Sequence, residues 1–140
     1  MGPWPAAIIW RVKEVSSSAK TLGYFAKNAP TKVIADASRL GLGAVLAQQQ
    51  GEELRVISSA SRSLSDTERR YSQTEKETLA IVWSCERFHA YLYGSKFELL
   101  TDHKRLECIF SSKSKTCARV ERWLPRMQPY KFSVTYIACR

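Results

Sequence analysis

Two short apolar runs that each end in an aspartate, KVIAD (32–36) and FELLTD (97–102), flank the longest helix-patterned stretch of the chain. A strand, a helix and a second strand in that order favour parallel pairing through a right-handed crossover, because a right-twisted strand feeding a right-handed helix packs back onto the sheet only that way. The two strands are therefore expected side by side and pointing the same way, with Asp36 and Asp102 at one sheet edge. Sites in such sheets gather beyond the carboxyl ends of the parallel strands. An aspartate closing a buried run costs desolvation, so its partners must come from elsewhere in the chain.

The other elements fit around this pair. Strands are expected at about 32–38, 43–50 and 53–60, with RLGLG and QQGEE as turns, giving an antiparallel meander. SLSDTERRYSQTEKETLAIVWSCERFHAYLYG reads as the longest helix, with Ile81, Cys85, Phe88 and Leu92 at three-to-four spacing and Gly94 as its stop. HKRLECIF reads as a short helix, SSKSK as a polar loop and TCARVERWLPRM as another helix. YKFSVTYIA reads as a last strand, with Phe132, Val134, Tyr136 and Ala138 alternating. The order is βββαβααβ, an α/β chain with a mixed five-stranded sheet flanked by helices. Residues 1–30 read as a lead-in, with a short helix around WRVKEVSSSAK and a loop at TLGYFAKNAP, and residues 31–140 as one domain.

The 140 residues suffice for one domain with its own core, and no apolar run approaches the ~20 residues of a membrane helix. No secretory leader is readable at the start. Cys85, Cys108, Cys117 and Cys139 form no Cys-x-x-Cys pair, and only two histidines exist to complete a zinc site, so the cysteines read as free thiols of a reducing compartment. A net charge of +9 points to polyanions. From His103 to Lys131 the bases Lys104, Arg105, Lys113, Lys115, Arg119, Arg122, Arg126 and Lys131 face only Glu107 and Glu121, with Phe110, Trp123 and Tyr130 interleaved. That stretch fits either a solvated helix face or a nucleic-acid surface.

A third carboxylate comes from the long helix. Extending the stripe of Leu92, Phe88, Cys85 and Ile81 back one turn reaches Glu77, which places Glu77 on the sheet-packing face and Glu75 away from it. Ser72 followed by Glu75 makes a capping box. Thr74 followed by Glu77 fits the same pattern, so a helix-start role for Glu77 stays open. Three converging carboxylates repel and raise one another's pKa values unless a cation neutralises them. Hard oxygen ligands select Mg²⁺ or Mn²⁺, and a pair of such ions roughly 3.5–4 Å apart activates water and stabilises the leaving oxygen in phosphodiester hydrolysis.

IADASRLGLGAVLAQ, ISSASRSLSDTERRYSQTEKETLAIVWSCERFHAYLYG, FELLTDHKRL and RVERWLPRMQPYKFSVTYIACR together resemble the ribonuclease H domain of reverse transcriptases from gypsy-type LTR retrotransposons. The similarity runs from about residue 12 to the end, with Asp-Ala-Ser, Tyr-Ser-x-Thr-Glu-Lys-Glu and Thr-Asp-His in the family's order. The resemblance implies a ribonuclease H-like fold and metal-dependent cleavage of the RNA strand of RNA–DNA hybrids. It makes Asp36, Glu77 and Asp102 the catalytic, metal-binding carboxylates, and Mg²⁺ or Mn²⁺ the cofactor. The implied partners are the hybrid and the polymerase domain of the parent polyprotein, and the implied setting is intracellular, in a cytoplasmic retroelement particle or the nucleus. Arg39, beside Asp36, reads as a backbone contact or a plain turn residue. Lys104, Arg105, Lys113, Lys115 and Arg119 are candidates for the nucleic acid, while His103, Trp83 and Trp123 read as structural.

Family members continue through a Gly-Lys segment into a helix with an Ala-Asp-x-Leu-Ser-Arg-like sequence, whose aspartate is the fourth metal ligand. With the sequence ending at Arg140, the resemblance implies a missing C-terminal helix and an impaired two-ion site. The alternative is therefore a fragment that only binds nucleic acid or docks to a polymerase. An integrase-type transferase is disfavoured, because Glu77 lies between the two aspartates rather than after both.

Overall fold

Strand β1 (Thr31–Ala37) carries the apolar run around which the sheet is ordered. The computed structural model describes residues 25–26, 28–50, 53–101, 106, 109 and 118–136. On one side β1 pairs antiparallel with β2 (Gly41–Gln50), which pairs antiparallel with β3 (Glu53–Ser63). On its other side β1 runs parallel to β4 (Lys96–Thr101), and β4 parallel to β5 (Lys131–Tyr136). The sheet order is β3-β2-β1-β4-β5. The meander and the parallel crossover pair are thus as the sequence predicts.

The strand period of two divides the core. Val33, Ala35 and Ala37 of β1, Leu42, Ala44 and Leu46 of β2, and Phe97 and Leu99 of β4 join the helices in one large cluster. Ile34, Val45 and Ala47 form a second cluster with Val56 and Leu100. Gln48 of β2 is fully buried, and its amide accepts from the Ala26 N–H and donates to the Ala26 carbonyl, which ties that segment to the sheet.

The single long helix expected from the sequence is instead three: α1 (Asp66–Arg69), α2 (Gln73–Arg87) and α3 (His89–Leu92). The breaks have local causes. Ser65 and Ser72 both adopt extended backbone and accept hydrogen bonds from the N–H groups three residues on, so each starts a new helix. Phe88, at φ −100° and ψ 21°, leaves helical geometry between α2 and α3. Gly94 stops the run with φ +83°, a conformation only glycine adopts without strain. The first turn also differs from expectation: Ser38–Leu40 make it, closed by the Ser38 N–H to Gly41 carbonyl bond, while Gly41 and Gly43 lie inside β2. β3 runs on to Ser63.

Helix α4 (Ala118–Trp123) leads into a 3₁₀ turn (Leu124–Met127), and both pack against α2. Leu106 and Ile109 are helical and buried, in line with a helix at HKRLECIF. Trp83 and Trp123 are partly buried against the core, as packing residues. Cys85 is a buried free thiol whose pKa burial pushes up. Cys108, Cys117, Cys139, Ala138 and the lead-in helix lie outside the described residues.

Arg62 of β3 clamps Glu68 of α1 through both carboxylate oxygens, at 2.8 and 3.0 Å, and Glu68 also closes the Ser65 capping box. The Arg62 hydrogen bond holds the Glu68 carboxyl at about 2. A depressed carboxylate contributes stability that is present above its unfolded pKa, near 4.5, and is lost as the pH falls towards 2. Partial exposure limits the gain to on the order of 1 kcal/mol. Thermal melts should therefore show Glu68→Gln less stable than wild type at pH 6 and the gap narrowing towards pH 2. A gap that is constant over that range rules out the linkage.

Candidate active site

Asp36 is the penultimate residue of β1, opposite Gly43 of β2, and is only 2% exposed. Aspartate is rarely buried so deeply unless a cation or donors compensate it. Both its carboxylate oxygens, and Oε2 of Glu77, are shielded from solvent.

Glu77 reaches the backbone next to Asp36 from α2. Ser72 accepts the Glu75 N–H at 3.2 Å and the Glu75 carboxylate accepts the Ser72 N–H at 2.8 Å, so the capping box is Ser72–Glu75. The competing Thr74–Glu77 box is not formed; the Thr74 carbonyl instead accepts the Thr78 hydroxyl. Glu77 is 2% exposed, and its Oε1 accepts the Ala37 N–H at 2.9 Å and Gln73 Nε2 at 3.0 Å. Gln73 Nε2 also lies 3.3 Å from the Ala37 carbonyl oxygen. The nitrogen of Ala37 is that of the Asp36–Ala37 peptide, so Glu77 is bonded to the linkage that carries Asp36.

Strand geometry explains why this peptide is available. Ser38 donates to Gly41 of β2, and backbone groups alternate sides along a strand, so those of Ala37 point away from β2, towards β4. The last β1–β4 pair is Ile34–Leu100. Beyond it the side chains of Gln73 and Glu77 serve both polar groups of Ala37 as a neighbouring strand would. Hydrogen bonds to a carboxylate contribute about 1.5–3 kcal/mol, so the helix start and the strand end are fastened together at the Glu77 side chain.

Glu75 faces away from the sheet but not into solvent, which corrects the outward placement expected from helix phase alone. Its side chain is 13% exposed and pairs with Arg119 of α4 at 2.5 Å. Arg119 also lies over the Tyr71 ring, 4.2 Å from its centroid, and Tyr71 packs on Trp123. Arg119, a sequence candidate for phosphate contact, is thus engaged in a helix–helix joint. Arg39 is exposed in the turn that follows β1. Asp102, His103, Lys104, Arg105, Lys113 and Lys115 lie outside the described residues; Asp102 directly follows Thr101, the last residue of β4. Among the described residues no three acidic, histidine or cysteine side chains form a cluster able to hold a metal. The two buried carboxylates nevertheless supply the hard oxygens that Mg²⁺ or Mn²⁺ prefers. Gln73 was not a sequence candidate, although its place one turn before Glu77 is a readable signal.

Residues 26–130 match the model of the RNase H-like domain found in reverse transcriptase. The chain belongs to this family. It is a domain of the nuclease kind, and its relatives are retroelement polyproteins. The retrovirus-related Pol polyprotein from transposon 297 of Drosophila melanogaster is 44% identical over 102 residues, covering 73% of the chain and 9% of the polyprotein. That from transposon gypsy of the same fly is 36% identical over 108 residues, covering 76% of the chain and 10% of the polyprotein. The RNase H-like domain therefore spans about a tenth of these relatives' length. A foamy viral protease-reverse transcriptase, solved in complex with RNA/DNA hybrid, superposes with a TM-score of 0.61 at 17% identity, covering 96% of the chain and 19% of the viral protein. RNase H1 from the archaeon Halobacterium salinarum superposes at 0.59 and 14% identity, covering 78% and 86%. These likenesses establish an RNase H fold. No helix among the described residues is long and apolar enough to cross a membrane.

Proposed function

We propose that the chain is the metal-dependent ribonuclease H module of a retrotransposon reverse transcriptase and cleaves the RNA strand of RNA–DNA hybrids inside the cell. The observation that carries this reading is the hydrogen bond from the Ala37 N–H that ties the Glu77 carboxylate to the peptide following Asp36, at the carboxyl end of β1, where both carboxylates are 2% exposed. Asp36 and Glu77 would hold Mg²⁺ or Mn²⁺ together with Asp102, which in the sequence directly follows the last residue of β4, the strand parallel to β1. When bound, the metal supplies an activated water and charge stabilisation for the leaving oxygen.

The chain's own residues do the rest. Burial of Asp36 and Glu77 lowers the local dielectric and strengthens their hold on a cation. The Ala37 N–H fixes the Glu77 carboxylate beside β1. Arg39, exposed just past the strand end, would meet a phosphate, and Lys104, Arg105, Lys113 and Lys115 are further candidates for that role. Arg119 joins them only by exchanging Glu75 for a phosphate. The natural context is a polyprotein whose polymerase delivers the hybrid.

The test is incubation of an end-labelled RNA–DNA hybrid with the protein in Mg²⁺ and, separately, in Mn²⁺. Cleavage of the RNA strand with the DNA strand left whole is expected. A hybrid that is bound but intact in both metals contradicts the reading and leaves a nucleic-acid-binding module.

A further inference from the structure

We propose that Gln73 is a positioning residue for the metal site: it acts through Glu77, holding that carboxylate in the single orientation in which it meets a cation. The inference rests on the reading of Asp36 and Glu77 as metal-holding residues. Gln73 is exposed at the first position of α2, yet its side chain turns inward to the Ala37–Glu77 pair. Both neighbours of its Nε2 are acceptors, the Ala37 carbonyl oxygen and Glu77 Oε1. Only the amide NH₂ group, with two hydrogens, satisfies both, so the orientation of the amide is fixed by its surroundings.

The consequence falls on Glu77. Its Oε1 receives two N–H donors, one from the strand and one from Gln73, in directions set by two different elements. Each donor restricts the Glu77 rotamer, so removing the Gln73 N–H loosens the carboxylate. Outer partners that orient a metal ligand typically matter by 10–100-fold in metal affinity or activity. Gln73 also bridges Glu77 to the carbonyl of Ala37, so displacement of the strand end and of the carboxylate are coupled.

The experiment compares wild type with Gln73→Met, which keeps the length and removes the donor, and with Gln73→Ala, a good helix former that guards against poor packing of the first. Three quantities are read: the Kd for Mn²⁺ by titration calorimetry, kcat and KM for an RNA–DNA hybrid, and the exchange rate of the Ala37 amide by NMR. Expected are a Mn²⁺ Kd raised about 10-fold, kcat lowered about 10-fold with hybrid KM within about twofold, and faster Ala37 exchange. A lowered Tm with Mn²⁺ Kd and kcat both within about twofold of wild type would make Gln73 a plain helix–strand staple and overturns the proposal. Mn²⁺ affinity that falls in the variants while the wild type cleaves no hybrid supports the positioning role and overturns the functional reading. A wild type that binds no Mn²⁺ overturns both.

Discussion

Asp36→Asn should lower the rate of RNA cleavage in a hybrid by about 10³-fold or more while raising the thermal midpoint of the metal-free protein. The two effects have one cause. Asp36 is 2% exposed at the end of a buried strand, where an ionised carboxylate costs several kcal/mol of desolvation. Asparagine keeps the shape and removes the charge, and a net gain on the order of 1–2 kcal/mol is a rise of a few degrees in a domain of this size. In the proposed function the same charge would draw a divalent ion, and a 10³-fold loss corresponds to about 4 kcal/mol of barrier, within what one metal ligand supplies. Single-turnover cleavage and a metal-free thermal melt measure the pair. A variant that cleaves within tenfold of wild type, or that melts below it, contradicts a buried carboxylate kept for chemistry at the expense of stability.

Phe88→Ala should be the most damaging single change to the fold. Among the described residues Phe88 heads the largest fully buried side chains, and it sits where α2 gives way to α3. Its N–H donates to the Ser84 carbonyl at 2.9 Å, and its own carbonyl accepts the N–H groups of Tyr91 and Leu92. Alanine keeps every one of those backbone bonds, so the loss isolates the ring. Truncating a buried phenylalanine costs about 3–5 kcal/mol, against a total stability of about 5–15 kcal/mol for a domain. The thermal midpoint should fall by roughly 10 °C or more. Denaturant unfolding measures the free energy, and a loss below about 1.5 kcal/mol would mean that the α2–α3 junction collapses around the gap.

The sheet was legible because β1 and β4 are short, mainly apolar runs and because the order of strand, helix and strand leaves one handed way to bring KVIAD and FELLTD together. Helix phase was enough to bring Glu77 to the sheet. The same phase argument placed Glu75 outward, and it fell short because α2 has a second packed face: α4 lies against it and brings Arg119 onto Glu75. Counting bases along the chain makes Arg119 a candidate for phosphate contact and gives no sign of its pairing with Glu75, since a partner 44 residues away leaves no local mark. The division of the long helix turned on the backbone of Ser72 and Phe88, and a serine side chain looks the same inside a helix or at its cap until the backbone is known. For Gln73 only the spacing of one turn from Glu77 is readable; its bond to the Ala37 carbonyl arises where the β1–β4 pairing ends, which leaves no local mark.

The central claim is that Asp36 and Glu77 hold a divalent ion at the carboxyl end of β1, and Mn²⁺ anomalous diffraction tests it most directly. Crystals grown with saturating Mn²⁺ should show an anomalous peak within coordination distance, about 2.0–2.6 Å, of a carboxylate oxygen of Asp36 and of one of Glu77. An ion seated elsewhere, or no peak at these two carboxylates under saturating Mn²⁺, would contradict it.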